Sequence, residues 1–132
     1  MPENKTGIFP KGEKAPAEYF TGTVWIKLLV PNDPILSTQI GNVMFDRCAR
    51  TNWHTHPGGQ ILIVTDGVGY YQEKGKIIQV IRKGDVVNIA PDVVHWHGAS
   101  PDSEMTHLAV NSNTQTGVVT WLQPVTDEDY TR

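Results

Sequence analysis

The chain has 132 residues, with 11 Lys and Arg against 14 Asp and Glu and a formal net charge of −3. This length suits one domain with its own core, and the lack of a basic surplus argues against nucleic-acid binding. Twelve Gly and nine Pro predict many turns, and therefore short strands rather than long helices.

The N-terminal stretch and the single cysteine bear on domain organisation and compartment. Residues 1–18 are polar and rich in Pro, Gly and charge, so we expect an extended arm, followed by one domain over residues 19–132. No run resembles a signal peptide or is long enough to span a bilayer, so we expect a cytoplasmic protein with no membrane partner. Cys48 has no second cysteine to pair with, and we expect it to act as a small, half-buried apolar residue.

The rest of the chain reads as a succession of short strands with turn signals between them. The predicted strands are residues 22–30, 39–46, 51–56, 60–65, 69–73, 77–81, 86–90, 94–97, 105–111 and 117–122. Pro31–Pro34 is predicted to end the first of them, Gly98 to end the strand at 94–97, and hairpin turns are predicted at 66–67, 74–76 and 83–85. Thr126 is expected to cap a single helical turn over residues 126–130. Strands without interleaved helices predict an all-β sandwich or small barrel with an interior that can hold a ligand.

Three histidines and one glutamine are spaced so that they can converge on one metal ion. His54 and His56 lie two residues apart and share one face of a strand. Gln60 lies four residues further on and keeps that face if Gly58-Gly59 does not shift the alternation, whereas His95 must arrive through folding. A close pair plus distant ligands is a common plan for metal sites, although His and Gln also occur as ordinary packed or solvent-facing residues.

His97 and His107 remain outside this set. His97 lies two residues after His95, so it faces the same side of a continuing strand. Either imidazole could act as a general base, since imidazole titrates near neutrality; either could instead orient a ligand or fill a polar rim. We favour His107 as the base and His97 as an orienting group or an anion donor.

Other side chains are candidates for the walls and the charge of such a site. Arg50 could stabilise a departing anion, and it could equally form a salt bridge at the end of a barrel. The candidate cavity walls are Val43, Phe45, Thr51 and Trp53. The remaining tryptophans, expected in the core or an interface, are Trp25, Trp96 and Trp121.

Two spaced motifs resemble those of the cupin superfamily. His54-Thr55-His56, three residues, Gln60, six residues and Gly67 resemble the first motif. Gly84, six residues, Pro91, three residues and His95 resemble the second. The chain departs from the motifs at three positions where they have Gly, Gly and Asn, namely Cys48, Val93 and Ala99. The resemblance spans residues 20–123 and implies a double-stranded β-helix, or jelly-roll barrel.

Longer segments are similar to the bacterial manganese-dependent hydroxynitrile lyases of the cupin type. The segments that carry this likeness are 20–24, 49–57, 59–60, 62–65, 84–87, 95–99, 105–109 and 125–128. The likeness implies a metal held by His54, His56, Gln60 and His95, with manganese expected and Zn, Fe or Ni as alternatives in purified protein. It also implies cleavage or formation of cyanohydrins, with catalytic roles for His107, His97 and Arg50.

Gln60 stands where the cupin motif usually has Glu, so all four implied ligands are neutral. The full divalent charge then remains on the ion, and we expect it to act as a Lewis acid. Two other readings stay open: a dioxygenase or isomerase acting on a small phenolic or sugar substrate, and a metal-binding protein without catalysis. We expect a small-molecule substrate and a homodimer or homotetramer formed through residues 20–30 and the arm.

Overall fold

Strands account for most of the regular structure in the computed structural model, which describes residues 8–131. A short 3-10 turn (Thr114–Thr116) and one helical turn, α1 (Asp127–Tyr130), are the helical elements among these residues. The strands are β1 (Glu13–Lys14), β2 (Phe20–Thr21), β3 (Val24–Asp33), β4 (Thr38–Phe45), β5 (Arg50–Thr51), β6 (His54–Thr55), β7 (Gln60–Glu73), β8 (Gln79–Arg82), β9 (Val86–Ile89), β10 (His95–Ala99), β11 (Met105–Asn111) and β12 (Thr120–Trp121). The predicted all-β class is confirmed.

The strands form one curled antiparallel sheet in the order β1-β3-β4-β11-β7-β10-β5-β2. Strand β7 lies at its centre: its first half pairs with β11 and β9, and its second half pairs with β10 and β8. Strand β6 pairs with β10 on one side and β12 on the other. The curl leaves an interior between the two halves of the sheet, and the side chains that alternate inward from β4, β7, β10 and β11 face it.

The predicted hairpin at Asp66-Gly67 is wrong, because β7 runs through it without reversing. Gly67 has a φ of 78°, and the pairing register with β11 shifts between Thr106 and His107. A β-carbon at Gly67 would collide with the carbonyl oxygen of Glu104. The Asp-Gly pair signals a positive φ, and Gly67 adopts it inside a continuous strand, two residues after the register irregularity at Thr65, rather than in a turn.

Two other predicted strand ends also differ from the structure. Strand β3 continues through Pro31 to Asp33, where a proline is tolerated because β1 pairs with β3 only at Trp25 and Ile26 and the stretch is therefore an edge. Strand β10 continues through Gly98 to Ala99. Gly98 pairs with Tyr70 on one side and Arg50 on the other, and glycine is required there because a β-carbon would strike the backbone of Ala49 and Arg50.

The predicted strand over residues 51–56 is two separate strands, β5 and β6. Between them, the Asn52 N–H donates to the carbonyl of Tyr19 and the Trp53 N–H donates to that of Gln123. These bonds to remote segments divert the backbone from one continuous ladder. His54 therefore lies in β6, and His56 lies just beyond its end.

Two apolar clusters stabilise the fold. The larger fills the interior around Phe45, Leu62 and Met105, each no more than 1% exposed. The smaller lies on the other side of β10 and consists of Trp53, Trp96, Val125 and Tyr130. Helix α1 closes over this second cluster, so the C-terminal segment is packed as part of the domain.

The helical turn and its cap are confirmed. Thr126 precedes α1, and its hydroxyl accepts a hydrogen bond from the Asp129 N–H at 3.1 Å. The Tyr130 hydroxyl donates to the carbonyl of Ala99 at 2.6 Å. This bond ties the helical turn to the end of β10.

The expectation of a half-buried Cys48 is wrong, since that residue is exposed. It adopts a φ of 69°, in the left-handed region where glycine is favoured. The cupin motif, which the residues after this position resemble, has Gly here, and Gly adopts a positive φ readily.

Part of the predicted N-terminal arm lies outside the described residues, namely residues 1–7. Within the described part, Glu13 and Lys14 pair with Ile26 and Trp25 of β3. The boundary between the arm and the domain at residues 18 and 19 stays a prediction, as does the use of this edge in an oligomer.

Candidate metal and substrate site

One cavity of about 150 Å³ opens into the interior between the two halves of the sheet. An apolar cavity of this size accommodates a benzene ring. Its lining combines imidazoles and carboxamides at one end with apolar side chains over the rest. The lining residues are Phe20, Ile26, Leu28, Gln39, Gly41, Val43, Thr51, His54, His56, Gln60, His97, Ala109, Asn111, Val118, Val119 and Trp121.

Backbone pairing brings His54 and His95 together from distant parts of the chain. His54 of β6 lies directly opposite His95 of β10, and their ring centroids are 4.2 Å apart. His56 follows the end of β6, with its ring centroid 4.9 Å from that of His54. The three imidazoles therefore form one cluster, and each is at least 96% buried.

Each of these three rings is held by a backbone carbonyl through Nδ1. The bonds are His54 Nδ1 to Asn52 O at 2.8 Å, His56 Nδ1 to Val118 O at 2.8 Å and His95 Nδ1 to Val93 O at 2.9 Å. A carbonyl only accepts, so Nδ1 carries the proton in each ring and Nε2 keeps its lone pair. This is how metal-binding histidines are commonly oriented.

Gln60 points its carbonyl oxygen at the same cluster. The glycine corner before it, with a φ of 85° at Gly59, leads into β7 with the Gln60 side chain on the cavity side. The Gln60 Nε2 donates to Asn111 Oδ1 at 2.9 Å. Its Oε1 is left facing the imidazoles.

The polar atoms at this end of the cavity fit a divalent cation. Gln60 Oε1, His56 Nε2 and His95 Nε2 are buried without a hydrogen-bond partner among the described residues. A buried acceptor without a partner costs about 1–3 kcal/mol, and a cation bound among several such acceptors would remove that cost. Neutral imidazole nitrogens and amide oxygens suit a divalent transition metal.

One group of three imidazoles in the structure differs from the predicted ligand set. Ring nitrogens of His54, His95 and His97 all lie within 4.8 Å of one another, and His56 is not part of that group. The Nε2 of His97 is buried without a partner among the described residues. The alternation along β10, which places His95 and His97 on the same face, is the sequence signal for the inclusion of His97.

His97 lines the cavity, and His107 lies behind it. The two rings are joined by a hydrogen bond between His97 Nδ1 and His107 Nε2 at 3.1 Å. His107 has no exposed surface and is not part of the cavity lining. The ring of Phe45 packs against both, at 6.0 Å from His97 and 5.3 Å from His107. His107 can therefore reach a ligand in the cavity only through His97.

Burial keeps the whole cluster neutral near pH 7. It lowers the pKa of His95 and of His107 to about 4. Burial, reinforced by neighbouring imidazoles, holds the pKa of His54 and of His97 well below the usual value. Burial also lowers the pKa of His56. Neutral imidazoles are the form that binds metals and accepts protons.

Arg50 forms a salt bridge, the alternative to an anion-stabilising role that its sequence context left open. Its guanidinium donates to the carbonyls of Val125 and Cys48 and to the Asp127 carboxylate at 2.8 Å, and it stacks 4.4 Å from the Tyr130 ring centre. Arg50 is not in the cavity lining. Asp127 is almost fully exposed, so the carbonyl bonds hold Arg50 more firmly than the ion pair does.

The predicted walls are partly right. Val43 and Thr51 line the cavity, whereas Phe45 lies behind the histidines and Trp53 packs in the second apolar cluster. Trp121, expected in the core or an interface, is a cavity wall, because β12 pairs with β6 beside His54. Sequence reasoning assigned no role at the cavity to Gln39, which carried no motif signal.

No helix within residues 8–131 has the length and apolar character needed to cross a membrane.

Comparison with known proteins agrees with this architecture. Residues 45–121 match the family described as the AraC-like ligand binding domain. A protein of Granulicella tundricola named (R)-mandelonitrile lyase is 48% identical over 120 residues, which are 90% of this chain and 91% of that protein. A solved cupin-like protein of Thermotoga maritima is 51% identical, covers 93% of both chains and superposes with a TM-score of 0.91.

A more distant structure shows the fold alone. A predicted oxalate decarboxylase of Thermotoga maritima is 17% identical and superposes with a TM-score of 0.67, covering 89% of this chain and 95% of that one. Together with the curled sheet and the histidine-lined cavity, these matches confirm the expected superfamily: this chain is a cupin and belongs to the family of AraC-like ligand-binding domains.

Proposed function

We propose that this protein is a divalent-metal-dependent lyase that cleaves or forms cyanohydrins, with Mn²⁺ as its metal. The observation that carries this proposal is the group of unpartnered, buried nitrogen and oxygen acceptors at the end of an apolar cavity. The 48% identity to a protein named (R)-mandelonitrile lyase supports the reaction class. The cavity volume matches the aromatic ring of such a substrate.

The residues assigned to the metal are His54, His56, Gln60 and His95. Three of them have Nδ1 bound to a carbonyl and Nε2 available, and the fourth has its amide nitrogen bound and its oxygen available. A divalent ion held by them would supply Lewis-acid polarisation of the substrate oxygen.

We assign the proton transfer to His97 rather than to His107. His97 Nε2 is unpartnered among the described residues and His97 lines the cavity, so it is placed to accept the hydroxyl proton of a bound cyanohydrin. Its Nδ1–H donates to His107 Nε2, a bond that orients the ring and spreads the positive charge it gains. Given its place behind His97, His107 is a positioning residue in this scheme.

The remaining steps balance without another reactant. As the hydroxyl proton moves to His97, the oxygen forms the carbonyl double bond, the bond to the nitrile carbon breaks and its electron pair leaves with cyanide. His97 then returns the proton, and the products are an aldehyde or ketone and hydrogen cyanide. The apolar walls, Val43, Val118 and Trp121 among them, exclude water from the reacting groups. Arg50 has no part in this scheme because its donors are engaged away from the cavity.

A cleavage assay on the metal-loaded protein tests the proposal. Racemic mandelonitrile is supplied, benzaldehyde is followed by its ultraviolet absorbance, and dissolved oxygen is recorded in the same vessel. We expect benzaldehyde release that disappears on chelation, returns with Mn²⁺ and consumes no oxygen. No release by the loaded protein would refute the lyase assignment, and obligatory oxygen uptake would point to the dioxygenase reading instead.

A further inference from the structure

A row of three carboxamides crosses the sheet on the cavity side. Asn111 of β11 lies directly opposite Gln39 of β4 on one side and Gln60 of β7 on the other. All three side chains line the cavity. The row therefore joins the cavity lining on β4 to the group of polar atoms where we place the metal.

The hydrogen bonds along this row run in one direction. Gln60 Nε2 donates to Asn111 Oδ1 at 2.9 Å, and Asn111 Nδ2 donates to Gln39 Oε1 at 3.1 Å. An amide can be turned end for end, which exchanges its oxygen and nitrogen. With Asn111 held as it is by Gln39, its Oδ1 faces Gln60, and the Gln60 N–H then has this acceptor only when the Gln60 oxygen faces the imidazoles.

From this geometry we propose that Asn111, supported by Gln39, is a positioning residue that turns the Gln60 oxygen toward the metal. The proposal rests on the metal site proposed above and deepens it. A reversed Gln60 would present N–H groups to a cation, and the site would lose a ligand.

A double-mutant cycle on Mn²⁺ affinity tests this role. The Mn²⁺ dissociation constant is measured by calorimetry for the full chain, for Asn111→Leu, for Gln60→Leu and for the variant with both changes. We expect Asn111→Leu to weaken binding roughly 10- to 100-fold, as loss of an orienting partner does. The double variant should bind as weakly as Gln60→Leu alone, because Asn111 acts through Gln60.

A spectroscopic readout and a matched control separate positioning from general damage. With Co²⁺ as the probe, the visible absorption of Asn111→Leu should change in the same direction as that of Gln60→Leu, since both lose the amide ligand. Asn88→Leu makes the same chemical change on the exposed side of β9, and it should leave both the Mn²⁺ affinity and the Co²⁺ spectrum unchanged.

Several outcomes would overturn the inference. Mn²⁺ affinity within twofold of the parent in Asn111→Leu, or losses that add in the double variant, would show that Asn111 does not act through Gln60. If Asn111→Leu does not fold, Gln39→Leu decides: weakened binding supports the row, and unchanged binding refutes it. A parent protein that binds no Mn²⁺ would refute the proposed metal site and this inference together, whereas tight binding with an indifferent Asn111 refutes the inference alone.

Discussion

At the scale of single residues, the site depends on which atom each polar side chain turns toward the cavity. His56 is the clearest case, because its Nδ1 is held by the carbonyl of Val118, a residue 62 positions away. That bond leaves Nε2 as the atom available inside. His97 differs, since its Nδ1 is held by another imidazole, that of His107. The first arrangement suits a metal ligand and the second suits a group that gains and loses a proton.

This difference predicts distinct effects for two substitutions. We expect His56→Asn to weaken Mn²⁺ binding roughly 100-fold or more, since it removes a ligand. His97→Asn should keep the metal while turnover of mandelonitrile falls about 10²- to 10⁴-fold, the usual contribution of general acid–base catalysis. Metal content by plasma mass spectrometry and initial rates on the same samples check both.

The opposite pattern would identify another ligand set. If His97→Asn loses the metal and His56→Asn keeps it, the ion is held by His54, His95 and His97, the three residues whose ring nitrogens lie within 4.8 Å of one another. The proton acceptor would then have to be sought elsewhere.

At the scale of elements, the long strand β7 joins the two halves of the sheet. Its first half carries Gln60 into the site, and its second half pairs with β10, which carries His95 and His97. The register irregularity at Thr65 and the positive φ of Gly67 lie between the two halves and let one strand serve both. The conformation of Gly67 therefore bears on the geometry of the whole site.

Replacement of Gly67 by Ala should destabilise the protein by roughly 2–3 kcal/mol. The added methyl group would meet a φ of 78° and the carbonyl oxygen of Glu104. Gly75→Ala is a matched control, because Gly75 has a φ of 84° and nothing lies within 4 Å of a new β-carbon. We expect this variant to lose only about 1 kcal/mol, the cost of a positive φ for a residue with a side chain. Urea unfolding of both variants provides the comparison, and equal losses would contradict the role given to Gly67.

At the scale of the whole molecule, the fold buries every histidine of the chain in one cluster. All five are at most 4% exposed, and burial lowers the pKa of each. Their neutral state is therefore a property of the folded barrel. The unfolded chain, in which each would titrate near 6.5, binds more protons than the folded chain at mildly acidic pH.

The metal-free protein should consequently lose stability as the pH falls. The pKa of His107 is lowered to about 4 in the folded state. Above about pH 6.5 the unfolding free energy therefore does not depend on this group, and it falls as the pH is lowered from about 6.5 to 4, because the unfolded chain takes up the proton first. At about 1.4 kcal/mol per pKa unit, this one group accounts for roughly 3 kcal/mol. We expect His107→Phe to flatten the dependence of the unfolding free energy on pH, measured by urea titration with a chelator present.

A variant that weakens the core without removing a titrating group is the appropriate control. Val64 is 2% exposed, and Val64→Ala should lower stability by a similar amount at every pH. A His107→Phe curve parallel to that of the parent would contradict the assignment of this acid sensitivity to His107.

The sequence predicts strand bounds well where local residues specify them, and less well where remote strands do. The strand β11 matched its predicted bounds, 105–111, because regular alternation and flanking polar residues specify a strand locally. The sequence predicts two strands within the run 60–73, because an Asp-Gly pair is compatible with a turn or with a positive φ inside one strand until its partner strands are known. The same holds for Pro31, where only the lack of a neighbour on one side makes a proline acceptable.

The sequence by itself determined the inventory of donors, the all-β class and the likeness that joined His54, His56, Gln60 and His95 into one expected site. Only the tertiary structure decided that His97 and not His107 borders the cavity, that Arg50 is engaged elsewhere, and that Gln60 is hydrogen-bonded to Asn111. These outcomes depend on which backbone carbonyls and side chains arrive from remote strands. Alternation along a strand says which face a side chain takes, and it does not say what that face will meet.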